Sequence, residues 1–147
     1  MADRTESSIV IDAAPDAVLT VIADFEQYPE WTGAVKQVTV LERLPDGRGS
    51  RVKFVLDAGA IRDTYTLNYT WDFTDAGTGT LSWGLVDSTV LKALDGAYQL
   101  TAEGTGTQVR YSLGVDLRIP MLGMLRRKAE KAIIDAALNE LKKRVES

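Results

Sequence analysis

The chain has 147 residues, a formal net charge of −4, 45% hydrophobic and 26% charged residues. That is the size and composition of one globular domain with a sizeable core, here residues 1–147. Cysteine and histidine are both absent, which excludes disulfides, thiolate nucleophiles, imidazole acid–base catalysis and zinc held by His or Cys; the acidic balance argues against a dedicated nucleic-acid binder.

The opening Met1-Ala-Asp-Arg-Thr-Glu is polar and lacks the apolar core of a signal peptide. The longest apolar stretches fall short of a spanning helix, so a cytoplasmic location is expected. Residues 5–12 alternate, with Ile9 and Ile11 on one face, and predict a short strand. Pro15 suits the first turn of a helix whose stripe is Val18, Leu19, Ile22 and Phe25. Tyr28-Pro29-Glu30-Trp31 is expected to interrupt it, because proline disfavours helical geometry at the preceding residue, and a second short helical turn follows.

Beyond Val35 the period becomes two. A strand over 35–44 ends at the turn Pro45-Asp46-Gly47, and Val52, Phe54 and Leu56 mark the next, which Gly59 turns. The clearest strand, over 61–73, sets Tyr65, Leu67, Tyr69, Trp71 and Phe73 against Thr64, Thr66, Asn68, Thr70 and Asp72, and is expected at the centre of the sheet. Leu81, Trp83 and Leu85 form another inward set. After a looser stretch at 87–96, Tyr98, Leu100 and Ala102 form the next, and Val109, Tyr111, Leu113, Val115 and Leu117 the last. Repeated one-sided alternation means an antiparallel sheet with one wet and one buried face. Pro120 then opens a helix over 120–145. Its stripe is Leu122, Leu125, Ala129, Ile133, Ala136 and Ala137, widened by Ile134, Leu138, Leu141 and Val145.

About seven strands with one apolar face need a cover, and the last helix is the long amphipathic element available. Alanines on that helix facing large aromatics on the sheet mean either tight interdigitation or enclosed space. The expected class is therefore α+β: a curved antiparallel sheet wrapped around a long C-terminal helix, with two short helices after the first strand.

That order, together with Ile9-Val-Ile-Asp-Ala-Ala-Pro15, Asp24-Phe-Glu-Gln-Tyr-Pro-Glu-Trp31, Gly96-Ala-Tyr98-Gln-Leu100, Gly106-Thr-Gln-Val109 and the Pro120 helix start, resembles the START-like (SRPBCC, helix-grip) superfamily. Within it the chain looks like the polyketide cyclase/dehydrase and coenzyme Q-binding START-domain families, in an actinobacterial-looking form. The resemblance spans nearly the whole chain and implies an internal hydrophobic cavity. It leaves the function open, since this fold hosts enzymes, lipid carriers and binders.

The candidate ligand-binding residues are Trp31, Phe54, Tyr65, Tyr69, Trp83, Tyr98, Met124 and Leu125. An apolar pocket with a few polar handles is the usual form of a small-molecule site, and Tyr65 and Tyr69 are the best handles. The same aromatics also suit plain core packing. The resemblance puts Trp31 and Tyr28 near a cavity mouth, where the alternative role is a hydrophobic staple. Met121, Met124 and Leu125 then form the opposite lip. Arg126, Arg127 and Lys128 suit a solvated face, with transient docking to a membrane surface or an acidic carrier protein as the alternative. Asp63 shares the phase of Tyr65 but is expected at a wet strand end.

Aromatase/cyclases that the chain resembles place an arginine on the fourth strand inside the pocket. Here Arg62 falls in the outward phase. No catalytic residue, metal ligand or cofactor is assigned, and the reading leans away from an enzyme. Its first form is binding or transfer of a hydrophobic small molecule: a lipid, quinone, isoprenoid or polyketide-like compound. The alternatives are a polyketide cyclase/dehydratase working through Tyr65 or Tyr69, and a partner-binding module with a packed interior.

Overall fold

The computed structural model describes residues 4–57, 62–118 and 123–147. Strand β1 (Thr5–Ile11) leads into helix α1 (Pro15–Ala23), a 3-10 turn (Phe25–Gln27) and the short helix α2 (Tyr28–Trp31). Six strands follow: β2 (Val35–Arg43), β3 (Gly49–Asp57), β4 (Arg62–Phe73), β5 (Gly79–Ser88), β6 (Leu91–Glu103) and β7 (Gly106–Leu117). Helix α3 (Gly123–Glu146) closes the fold. The expected helix start at Pro120, with Met121 and Leu122, and the Gly59 turn lie outside the described residues.

Pro15 opens α1 as expected, but the interruption comes at Asp24 rather than at Tyr28-Pro29. Tyr28-Pro29-Glu30-Trp31 is itself the helical turn, because a proline at the first or second helical position gives up only an N–H that has no helical partner there. All seven strands form one antiparallel sheet in the order β1-β7-β6-β5-β4-β3-β2. The middle strand is therefore β5, and the 61–73 segment sits one place off centre, because β1 folds back onto β7 and adds a strand at the far edge. The looser stretch before Gly96 is already strand: β6 begins at Leu91, and a register shift between Leu91 and Ala93 hides its alternation. Further shifts at Thr66/Leu67 and along β2 add local twist and bend the sheet.

The face assignment of β4 holds. Leu67 is buried, Tyr65 and Tyr69 are partly buried in the core, and Arg62 and Asn68 are exposed. Asp63 is a correction: at 5% exposure it is dry. Its carboxylate accepts from Ser88 Oγ and Thr89 Oγ1, both at 2.5 Å, and from Thr89 N at 3.1 Å. Ser88 Oγ in turn accepts from Val90 N and Leu91 N, so this acid fixes the turn between β5 and β6.

Helix α3 is seated chiefly on β1, β7 and α1, at one side of the concavity. Its buried line is Ile134, Leu138 and Leu141, with Ile133, Ala137 and Val145 packed beside it. Ala132 and Ala136 are exposed, so the alanine stripe meets the core only in part, through Ala137, with Ala129 half-buried. The helix is rolled toward the branched residues because its polar groups fasten it there. Glu130, 1% exposed, accepts from Thr5 Oγ1 and from Val115 N, both at 2.7 Å. Thr5 pairs with Leu113, so β1 stops short of Val115 and the Glu130 carboxylate takes the N–H that no β1 residue reaches. Gly33 N donates to Glu140 at 3.1 Å, Asp12 N to Glu146 at 2.8 Å, and Lys142 Nζ to Val10 O at 2.7 Å. The Asp12 amide, and then Lys142, hold the Glu146 carboxyl below its usual range.

Candidate functional site

The first helix stripe drops Phe25 onto the sheet, 4.7 Å from the Tyr69 ring and 6.2 Å from Phe54. From there the rings form one continuous network. Trp31 meets Tyr28 at 5.0 Å, Tyr28 meets Phe54 at 6.3 Å, and Phe54 stacks on Tyr65 at 5.4 Å. In the other direction Tyr69 meets Trp83 at 5.8 Å, and Trp83 meets Tyr98 and Tyr111 at 5.4 Å each. Tyr98 and Tyr111 lie 4.7 Å apart, edge to face. The seat of Trp83 is Gly96, its cross-strand partner: a Cβ there would come within 2.8 Å of the indole and 2.7 Å of Ser112 O. The strand part of the run is thus fixed by the period-two phase of β3 to β7, with Gly96 seating Trp83 and Gly49 lying against Phe25.

Six of the predicted residues, Trp31, Phe54, Tyr65, Tyr69, Trp83 and Tyr98, belong to this network. Met124 and Leu125 do not: they are 80% and 54% exposed, and neither is part of the core cluster. Phe25, Tyr28 and Tyr111 are network members that the candidate set lacks; the helical spacing of Phe25 and the strand phase of Tyr111 were the available signals. Trp31 packs on Tyr28 as a staple does. Arg127 and Lys128 are exposed, whereas Arg126 is half-buried and lines a small void of about 20 Å³ with Val115, Leu117, Ala129, Glu130 and Ile133.

The polar tips of the network divide into two kinds. Tyr28 donates to Ile22 O at 2.5 Å. The hydroxyls of Tyr65, Tyr69, Tyr98 and Tyr111 find no hydrogen-bond partner among the described residues. Fully sealed side-chain polar atoms without a partner are, among the described residues, Trp31 Nε1 and Arg126 Nε. The four phenol oxygens are unpartnered but not sealed, so each borders free space. Burial pushes all four phenols above their ordinary range, with Asp63 adding to the effect at Tyr65 and Glu140 at Tyr98. Such groups stay protonated at neutral pH and present O–H donors.

No lysine or arginine falls in the buried set, although half-buried Arg126 has its Nε sealed in the void beside Glu130. The Arg62 side chain is 78% exposed and pairs with Asp57 at 3.5 Å, on the rim of an open surface groove of about 350 Å³. Among the described residues no cluster of acidic side chains is arranged to hold a metal, and no helix is long and apolar enough to cross a membrane.

Residues 2–146 match the family described as polyketide cyclase / dehydrase and lipid transport. The chain belongs to that family. No curated protein is similar enough in sequence to match it. Among solved structures, a START superfamily protein from Mycobacterium smegmatis superposes with a TM-score of 0.89 at 18% identity, covering 97% of each chain. The Zhui aromatase/cyclase of a Streptomyces species gives 0.79 at 17% identity, over 99% of this chain and 94% of that one. A protein of Thermus thermophilus gives 0.78 at 22% identity, over 97% of each. These likenesses establish the helix-grip fold of this family member, and the family is one consistent with hydrophobic ligand binding.

Proposed function

We propose that this family member binds or transfers a hydrophobic small molecule in a cavity along the aromatic network, the candidates being lipids, quinones, isoprenoids and polyketide-like compounds. The observation that carries this reading is the set of four unpartnered but unsealed phenol hydroxyls on an otherwise apolar face. A core built only for stability satisfies its buried polar groups or leaves them out. A site built for a ligand keeps a few polar groups waiting among apolar surface.

The same reading gives Met124 and Leu125 a role outside the network. Their exposed apolar side chains stand next in sequence to Arg126, Arg127 and Lys128, a combination suited to brief contact with an anionic membrane surface from which a ligand is collected. The family relation to aromatase/cyclases keeps catalysis as the second reading. With Arg62 on the outside, that chemistry would fall to the phenols of Tyr65 or Tyr69. Native mass spectrometry of the purified protein, followed by organic extraction, tests the binding reading: a co-purifying or titratable apolar compound is expected. A protein that takes up none across lipids, quinones and polyketide-like compounds is simply packed inside.

A further inference from the structure

The seam between α3 and β7 carries a polar arrangement that the aromatic network does not use. The described pairing of β1 with β7 ends at Thr5 and Leu113. Two residues further along β7, the Val115 N–H turns to the side that β1 has left and donates to Glu130 Oε2 at 2.7 Å. In an antiparallel strand the N–H and C=O of one residue point the same way, and every second residue repeats them. The Val115 carbonyl and the Leu117 N–H therefore face the α3 side as well. The opposite phase agrees: Arg118 N donates to Val90 O, on the β6 side, at 3.0 Å. Against this edge lies the void of about 20 Å³, walled by Val115, Leu117, Arg126, Ala129, Glu130 and Ile133, with Asp116 at its border. Arg126 Nε is sealed from solvent there and has no hydrogen-bond partner among the described residues.

We propose that this void binds a single internal water, which accepts from Arg126 Nε–H and Leu117 N–H and donates to the Val115 carbonyl and the Glu130 carboxylate. The site uses none of the network's phenols. Volume decides the occupant first: roughly 10–15 Å³ of such space suffices for one water, so the void takes one and excludes anything much larger. Charge decides it next. A cation would sit against the Arg126 guanidinium and an anion against the Glu130 carboxylate, whereas water donates and accepts at once. Glu130 has capacity to spare, since each carboxylate oxygen accepts more than one hydrogen bond, and Thr5 Oγ1 and Val115 N take one each. An unpartnered buried N–H is costly, and a bridging water removes that cost nearly as well as a direct bond. The bound water thereby joins Arg126 to Glu130 as an ion pair through one oxygen. It also ties the first turns of α3 to the stretch of β7 that β1 does not reach.

A high-resolution crystal structure of the full chain is expected to show one water oxygen in the void, within hydrogen-bond distance of Arg126 Nε. In solution, the carbon-bound protons of Ala129 and Ile133 are expected to give cross-peaks to water, of opposite sign in NOE and ROE spectra. That is the mark of a water held longer than the protein tumbles. Ala129→Val fills the void and keeps Arg126, so the cross-peaks at Ile133 should be lost. Arg126→Met keeps the apolar stem and removes the Nε–H, and should lose them too. A dry void in the parent, Arg126 Nε turned out to solvent, or cross-peaks that survive either substitution would each overturn the proposal. Crystals grown in bromide or rubidium salts are expected to show no anomalous peak in the void; such a peak would make it an ion site instead. The measurements on the parent need no variant, so they decide the matter even if a substitution prevents folding.

Discussion

The two sides of the concavity are built differently. Where α3 meets β1, β7 and α1, the contacts are aliphatic: Ile134, Leu138 and Leu141 are at most 2% exposed, and carboxylates at 130, 140 and 146 take up backbone and hydroxyl donors. Under the Phe25–Trp31 segment, β3 to β7 present rings whose polar tips are mostly unspent. Apart from Arg126 Nε, the first side meets its polar groups internally, as a stabilising core does. The other leaves donors without a protein partner, as the proposed ligand site requires.

Alkali gives the largest expected effect and acts on the aromatic side. Tyr28, Tyr65, Tyr69, Tyr98 and Tyr111 are all five tyrosines of the chain, and burial raises each above its ordinary value of 10.0. For an acid whose folded pKa is raised, the stabilising difference is complete below the unfolded pKa and is lost as pH rises past it. Each phenol that stays protonated in the fold therefore lowers stability by about 1.4 kcal/mol per pH unit above 10. Absorbance at 295 nm should stay flat until the protein unfolds, then rise in one step together with the loss of circular dichroism. A phenolate signal near pH 10 from a still-folded protein would place those hydroxyls in water.

Next in size is the aliphatic side. Leu138→Ala should cost about 2–5 kcal/mol by denaturant unfolding, the range for emptying a buried leucine site. A loss below about 1 kcal/mol would mean that α3 is not what holds the sheet. Glu130→Ala should follow at about 1–3 kcal/mol, because the Val115 N–H and the Thr5 hydroxyl lose their acceptor. Amide exchange at Val115 should accelerate in that variant; unchanged exchange would show that the carboxylate is dispensable there.

The smallest effect is the sharpest test of the contrast. Tyr98→Phe removes a hydroxyl that has no protein partner and keeps the ring that packs on Trp83 and Tyr111. Its unfolding free energy should lie within about 0.5 kcal/mol of the parent. A loss as large as that from Glu130→Ala would erase the distinction between the two sides.

The strand pattern was legible because alternation is local. Tyr65, Leu67 and Tyr69 fall on one face whatever the rest of the chain does, once that face is buried. The same phase brought Phe54, Trp83 and Tyr98 to the network from three other strands. Sequence spacing did not reveal which side of α3 is buried, because apolar residues at 125, 129, 132, 133, 134, 136, 137, 138, 141 and 145 cover too much of its circumference to fix a rotation. That choice was made by Thr5 and Val115, far away in sequence, whose donors draw in Glu130. The rotation in turn sets Ala132 and Ala136 in solvent. The dryness of Asp63 was equally out of reach, since Ser88 and Thr89 become its partners only when β5 pairs with β4. Composition and period determined the class of fold, the inward set of aromatics and the lack of histidine and thiol chemistry. Tertiary pairing alone decided which polar groups were satisfied and which were left facing space, because hydrogen-bond satisfaction depends on partners that the chain brings together from a distance.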